Sequence, residues 1–242
     1  MHPLAPQECS ARERTAIPNT QESREQTLMH SQEILLMLRD VGAIITNSHL
    51  VLTSGRHTSA YVNKDALYVH PQATSACCQL IADHYAARQI DAVVGPALGG
   101  ILLAQWVAYH LNTRRTVGET LALYAEKEGN GTEKRLFFSR GYGSLVAHRH
   151  VLVVEDVLVT GGSARKVVEL VRSQGGHVVG LSALCNRGDV QPEDVGGVPI
   201  SALAQVSFTS WAAEQCPLCQ QGVPINTEVG KGRAFLAGQG KV

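Results

Sequence analysis

The sequence predicts an α/β fold, a central parallel sheet flanked by helices. Three observations predict it. Residues 151–186 read in succession as an apolar strand, a glycine turn, an amphipathic helix and a second apolar strand. Residues 91–95, DAVVG, form a short buried-type run, and a glycine-rich corner at 96–100 carries it into the helix ILLAQWVAYHL. Strands joined through a helix run parallel and need cover on both faces, and a chain that is 44% hydrophobic can supply it.

The elements follow in order. Residues 1–28 are polar, contain prolines and show no sustained period, which predicts a flexible N-terminal extension. Ser31 is placed to cap a helix through EILLMLRDVGA, and Gly42 suits its end. Residues 44–68 read as short strands with a tight turn at Ser54 and Gly55. From Pro71 the pattern becomes helix, the strand DAVVG, then helix again. A strand follows near 120–124. Residues 125–140 hold Gly129 and Gly131 among basic side chains and lack apolar periodicity, so a mobile loop with a short hairpin is expected there. The helix ARKVVELVRSQ ends at Gly175 and Gly176, and HVVGLSALC is the next strand. Beyond Pro192 the chain is rich in glycine and proline.

Bulk properties narrow the function. The chain has 242 residues, enough for one α/β domain with appendages. Lys plus Arg and Asp plus Glu number 21 each, so no basic footprint for nucleic acid or an anionic membrane exists. No apolar run reaches the roughly 18 residues of a membrane span. Cys9, Cys77, Cys78, Cys185, Cys216 and Cys219 do not make a disulfide framework. A cytoplasmic location with reduced thiols is expected.

The strongest chemical signal is residues 151–163, VLVVEDVLVTGGS. Ligands of open α/β sheets bind beyond the carboxyl ends of the strands. Here such an end carries Glu155 and Asp156, followed by Thr160, Gly161, Gly162 and Ser163. Glycines let backbone N–H groups approach an anion, hydroxyls add donors, and a helix N-terminus favours negative charge. The two acids do not suit a bare phosphate. Sugar hydroxyls, alone or with Mg²⁺, suit them. A solvated acid pair beside an ordinary glycine turn is the bland alternative. No GK[ST] or GxGxxG pattern supports a Walker or dinucleotide loop.

VVEDVLVTGGS resembles the phosphoribosyl pyrophosphate signature of the type I phosphoribosyltransferases. LTSGRHTSAYVNKDALY, VVGPALGGILLA, YAEKEG and ALCNRG follow the order and spacing of the orotate phosphoribosyltransferases, and CPLCQQGVPINTEVGKG is similar to the tail of bacterial members with an extended C-terminus. The resemblance implies the type I phosphoribosyltransferase fold, with a small hood subdomain and a flexible lid loop. It places the phosphoribosyltransferase domain at 29–210, with a C-terminal tail carrying a CxxC at 211–242. The implied activity joins orotate to phosphoribosyl pyrophosphate, giving orotidine 5′-monophosphate and pyrophosphate for pyrimidine biosynthesis. Mg²⁺ is the implied cofactor, with no direct protein ligand, and a homodimer with shared active sites the implied assembly.

The same resemblance assigns the site. Glu155 and Asp156 would bind the ribose hydroxyls, with Asp156 also catalytic. Val159, Thr160, Gly161, Gly162 and Ser163 would cradle the 5′-phosphate. Pro96, Ala97 and Gly99 belong to the pyrophosphate corner. Arg187 would pair with the orotate carboxylate, with Tyr61 and Thr160 beside the base. Lys127, backed by Lys134 and Arg135, would neutralise departing pyrophosphate from the lid. Familiar members carry lysines where this chain has Thr53 and Gly99, and an Arg-Lys pair where it has Glu126 and Lys127. Lys64, Arg56 and Lys127 are candidates to replace those cations.

Cys216 and Cys219 form a lone CxxC. Zinc at Cys216 and Cys219 would need two more ligands, from Cys185, a histidine or a second chain. A pair of reduced thiols in a turn is the expectation. Two alternatives to the orotate activity stand beside it: transfer to a purine or other base, and a non-catalytic sensor of phosphoribosyl pyrophosphate. An anionic base calls for Arg187, and a sensor acting on nucleic acid calls for a basic surface.

Overall fold

The structure, a computed structural model, describes residues 32–129 and 135–239. The expected extension over 1–28, the cap at Ser31, and Lys134 lie outside them. Helix α1 covers 32–40. It stops at Gly42, whose φ is +71°. The Ala43 N–H reaches back to the Leu38 carbonyl at 2.7 Å, and the Gly42 N–H to that of Arg39 at 2.9 Å. A residue without Cβ adopts this left-handed stop at little cost.

Four two-residue strands follow: β1 (Ile44–Ile45), β2 (Leu50–Val51), β3 (His57–Thr58) and β4 (Tyr61–Val62). β1 pairs with β4 and β2 with β3, all antiparallel. Strand character ends earlier than expected, because Lys64–Tyr68 is helix α2. Asp65 lies in its first turn, where the helix dipole favours an acid.

The main body contains α3 (Pro71–His84), β5 (Ala92–Pro96), α4 (Gly99–Asn112), β6 (Leu121–Glu128), β7 (Arg135–Phe137), α5 (Tyr142–Val146), β8 (His150–Leu158), α6 (Gly162–Ser173), β9 (His177–Asn186) and β10 (Ile200–Gln205). Its sheet runs in the order β10-β9-β8-β5-β6-β7. The first five strands are parallel and β7 returns antiparallel to β6. This is the α/β class that the βαβ pattern predicts.

Both faces of the sheet are covered, and the two-residue period of the strands explains how. Leu152 and Val154 of β8 enter a core with α1, α3 and α4. Val151 and Val153 enter a second core with α6. Helix α6 answers with Ala164, Val167, Val168 and Val171, spaced to share one buried face.

One expectation holds and one changes. The short hairpin expected within 125–140 is formed by β6, which runs on to Glu128, and β7, which pairs back on it with Lys127 opposite Leu136. Its base is braced by Glu126, which accepts from Ser139 and faces Arg140 at 3.7 Å. The segment past Pro192 supplies the edge strand β10 and then β11 (Ser210–Trp211), α7 (Pro217–Gln220) and α8 (Gly232–Gln239). β11 pairs with β3, so the tail returns to the hood strands, and the boundary expected after residue 210 falls within β11.

β5 and α4 meet backbone to backbone. A Cβ on Gly95 would lie 2.5 Å from the Gly100 carbonyl oxygen, and one on Gly100 would lie 2.7 Å from the Gly95 carbonyl carbon. Gly95→Ala is therefore expected to destabilise the chain by about 1–3 kcal/mol through overpacking. A urea titration checks this. The midpoint should fall with an unchanged slope, and an unchanged midpoint would contradict the packing described.

Candidate active site at the switch point of the sheet

The order of the parallel strands reverses between β5 and β8. From β5 the chain moves through α4 to β6 on one side, and from β8 through α6 to β9 on the other. Loops diverging from such neighbours leave a crevice at their carboxyl ends. A cleft of about 740 Å³ opens there. It is lined by α2, by the corner after β5, by Lys127 of β6, and by the end of β8 with the turn into α6.

Glu155 and Asp156 are both 7% exposed at the floor. Lys64 and Tyr68 are four residues apart, so they share one face of α2. Both reach the same atom: Lys64 Nζ lies 2.6 Å from Asp156 Oδ2, and the Tyr68 hydroxyl 3.4 Å. Asp156 Oδ1 accepts from the Val157 N–H at 2.7 Å, and Glu155 Oε1 from the Asp156 N–H at 3.1 Å. Burial, and then the charge of Asp156, push Glu155 up to about 8, well above the usual carboxylate range. Burial pulls the Lys64 ammonium down, yet its bond to Asp156 and the charges of Asp156, Asp65 and Glu155 together raise its pKa overall. Burial and the neighbouring acids raise the Tyr68 phenol, which stays protonated and able to donate.

The corner after β5 lies against these acids. A Cβ on Gly99 would collide with Asp156 Oδ2 and stand 2.8 Å from the Tyr68 hydroxyl. A Cβ there would displace Asp156 from the position in which Lys64 and Tyr68 hold it, so glycine at 99 lets the corner lie directly against the acid. The Ala97–Leu98 peptide is cis. Across the cleft, Gly161 has φ +72° and begins α6 with no side-chain cap. A Cβ on Gly161 would lie 2.9 Å from Val190 and Val195, so glycine is required on both counts. The helix start therefore faces the cleft with backbone N–H groups, beside Thr160 and Ser163.

Most of the expected site residues converge here. Pro96, Ala97, Gly99, Lys127, Glu155, Asp156, Val159, Thr160, Gly161, Gly162 and Ser163 all line the cleft. Tyr61 and Arg187 do not. Tyr61 sits on β4, paired with Ile45 of β1. The Arg187 guanidinium lies 5.9 Å from the centre of the Phe208 ring, while the backbone N–H of Arg187 bonds the Leu158 carbonyl at 2.8 Å and fastens the main chain there to the end of β8. Of the substitute cations, Lys64 and Lys127 line the cleft. Arg56 instead bonds Ser210 of β11. Arg135 stands exposed on β7. The sequence reading missed Tyr68. Its signal was KDALY, which places a cation and a hydroxyl one helical turn apart.

Chemically, the cleft pairs a hydroxyl-accepting acidic floor with two amide-rich corners suited to anions, and adds two lysines. Comparison with known proteins agrees with that division. Residues 63–209 match the phosphoribosyl transferase domain family. The chain is 36% identical over 182 residues to the orotate phosphoribosyltransferase of Caldanaerobacter subterraneus, covering 75% of this chain and 88% of that one. It is 38% identical over 196 residues to that of Pelotomaculum thermopropionicum, covering 81% and 95%. Among solved structures, orotate phosphoribosyltransferase from Aeropyrum pernix superposes with a TM-score of 0.53 at 29% identity, covering 69% of this chain and 90% of that one. The Mycobacterium tuberculosis orotate phosphoribosyltransferase in complex with 5-phospho-α-D-ribosyl 1-diphosphate shares the fold, with a TM-score of 0.53 at 23% identity over 73% of this chain and 96% of that one. The chain belongs to the phosphoribosyltransferase family and, within it, to the orotate phosphoribosyltransferases.

Proposed function

We propose that the chain transfers the phosphoribosyl group of phosphoribosyl pyrophosphate to orotate, forming orotidine 5′-monophosphate and pyrophosphate in pyrimidine biosynthesis. The observation that carries this is the joint placement of Glu155 and Asp156 with the 159–163 turn and the 96–99 corner around one cleft. A ribose spans such an arrangement with its hydroxyls on the acids, its 5′-phosphate on the turn and its pyrophosphate toward the corner.

In the reaction the bond from the anomeric carbon to pyrophosphate breaks, and a bond to the pyrimidine nitrogen forms. That nitrogen's proton leaves to solvent. The sugar acquires oxocarbenium character and the leaving group carries dense negative charge. The site's contribution is to position the reactants and balance charge. Lys127, which lines the cleft, is assigned to the pyrophosphate. Lys64 holds Asp156 in place and adds positive charge beside the leaving group. The donor set fits a Mg²⁺ that arrives on the cosubstrate, since Lys64 already occupies Asp156 and Glu155 is buried beside it. When bound, Mg²⁺ would neutralise the pyrophosphate oxygens.

Arg187, fixed to the end of β8 next to the cleft, is assigned to the orotate carboxylate, a group that a guanidinium matches in two parallel hydrogen bonds. Tyr61 and Thr160 are assigned to the base side. A homodimer and a cytoplasmic location complete the proposal. No helix among the described residues is long and apolar enough to cross a membrane.

Purified protein with Mg²⁺ and phosphoribosyl pyrophosphate, offered orotate, uracil and purines separately, should release pyrophosphate with orotate alone. Arg187→Ala should raise KM for orotate about 10- to 100-fold with little change for the cosubstrate. Release with a purine and not with orotate would overturn the assignment. Asp156→Asn keeps the shape of the floor and removes its charge. It should lower kcat/KM for phosphoribosyl pyrophosphate by about 10- to 100-fold, and near-normal kinetics would remove Asp156 from its role.

A further inference from the structure

Outside the lining of the cleft, the strands β2 and β3 and the tail bring four side chains to one point. His49 precedes β2 and His57 lies on β3, while Cys216 immediately precedes α7 and Cys219 lies within it. Their ligand atoms all lie within 4.8 Å of one another. His49, His57 and Cys216 are buried, and Cys219 reaches the surface. The sequence supplied only the lone CxxC, because the histidines stand 162 or more positions away from Cys219.

The hydrogen bonds orient His49. Its Nδ1 lies 2.7 Å from the Val223 carbonyl oxygen, which can only accept. Nδ1 therefore carries the proton, and the Nε2 lone pair faces the cluster. Three groups converge on that lone pair: His57 Nδ1 at 2.8 Å, Cys216 Sγ at 3.6 Å and Cys219 Sγ at 3.6 Å. Cys219 Sγ is also 3.3 Å from His57 Nδ1. One lone pair accepts one good hydrogen bond, so hydrogen bonding alone does not account for all three neighbours. A cation at the centre satisfies all four. A carbonyl behind a ligating imidazole is also the usual support of such a histidine.

We propose that His49, His57, Cys216 and Cys219 bind one Zn²⁺ as a closed, structural Cys₂His₂ site. Zn–N bonds of about 2.0–2.1 Å and Zn–S bonds of about 2.3 Å put tetrahedral neighbours about 3.3–3.8 Å apart. The separations of Cys216 and Cys219 Sγ from His49 Nε2 and of Cys219 Sγ from His57 Nδ1 already fall in that range, and the two imidazole nitrogens need to part by about half an ångström to reach it. Two thiolates and two imidazoles select zinc over the oxygen-seeking Mg²⁺. Four protein ligands leave no open position, so the ion's role is to clasp the tail. The tail otherwise holds the hood through bonds such as Asn226 N–H to the His49 carbonyl at 2.7 Å and Lys231 N–H to that of Val51 at 2.8 Å. The Phe235 ring of α8 packs edge-on to His57 at 4.8 Å, closing the other side.

Metal analysis of the full chain, purified reduced from zinc-supplemented culture, tests the site. One zinc per chain is expected, and removing it with a chelator should lower Tm. Cobalt added to the chelated protein should give the visible bands of tetrahedral Co²⁺ and a near-ultraviolet thiolate charge-transfer band. Cys219→Ser, at the exposed ligand, should weaken that band and lose zinc, and His49→Gln should lose zinc as well. A reduced wild-type chain that takes up neither zinc nor cobalt overturns the proposal. So does zinc that stays bound in both variants.

Discussion

Lys64 Nζ lies 2.6 Å from Asp156 Oδ2, and the geometry of the cleft depends on that contact. Two carboxylates at the end of a buried strand repel each other and lose water. The pair is tolerable because a cation and a phenol from α2 hold one of them, while burial and the charge of Asp156 raise the pKa of Glu155. The short helix α2 is thus the counter-charge of the site. With Asp156 pinned, Gly99 lets the corner after β5 lie directly against it. A cation lost at that corner is offset in part by Lys64, which approaches from another element.

The sheet provides the rest of the constraint. β5 and β8 are neighbours whose connections diverge, so their ends form the crevice without help from any loop insertion. Covering both faces of β8 with apolar residues keeps the strand rigid up to Val154, immediately before the acids. The left-handed Gly161, packed under Val190 and Val195, then turns the chain into α6 with its first N–H groups toward the cleft. A rigid floor and a fixed turn give the preorganisation that charge-stabilising catalysis requires.

Much of this was legible in the sequence, for identifiable reasons. The βαβ unit and the acid–glycine turn are local patterns, each contained in one continuous stretch within residues 150–186. Helix α2 was missed because KDALY is only five residues long and sits among short strands, where periodicity gives no signal. The edge strand β10 was missed because its half-exposed ISALAQ lacks the apolar density of a central strand. The histidine partners of Cys216 and Cys219 were not legible at all. Only the return of the tail onto β3 brings them together, and no local rule encodes a return over that distance. The same return explains why Arg56, a candidate for the cleft, is instead committed to Ser210.

The central claim is that the acid pair receives a ribose and the turn after it a phosphate. A crystal structure of the chain with Mg²⁺ and phosphoribosyl pyrophosphate tests this most directly. The account predicts ribose hydroxyls within hydrogen-bond distance of Glu155 and Asp156, the 5′-phosphate on the amides of residues 160–163, and pyrophosphate toward Ala97 and Lys127. A cosubstrate bound with its pyrophosphate on the 160–163 turn, or away from the acid pair, would contradict it.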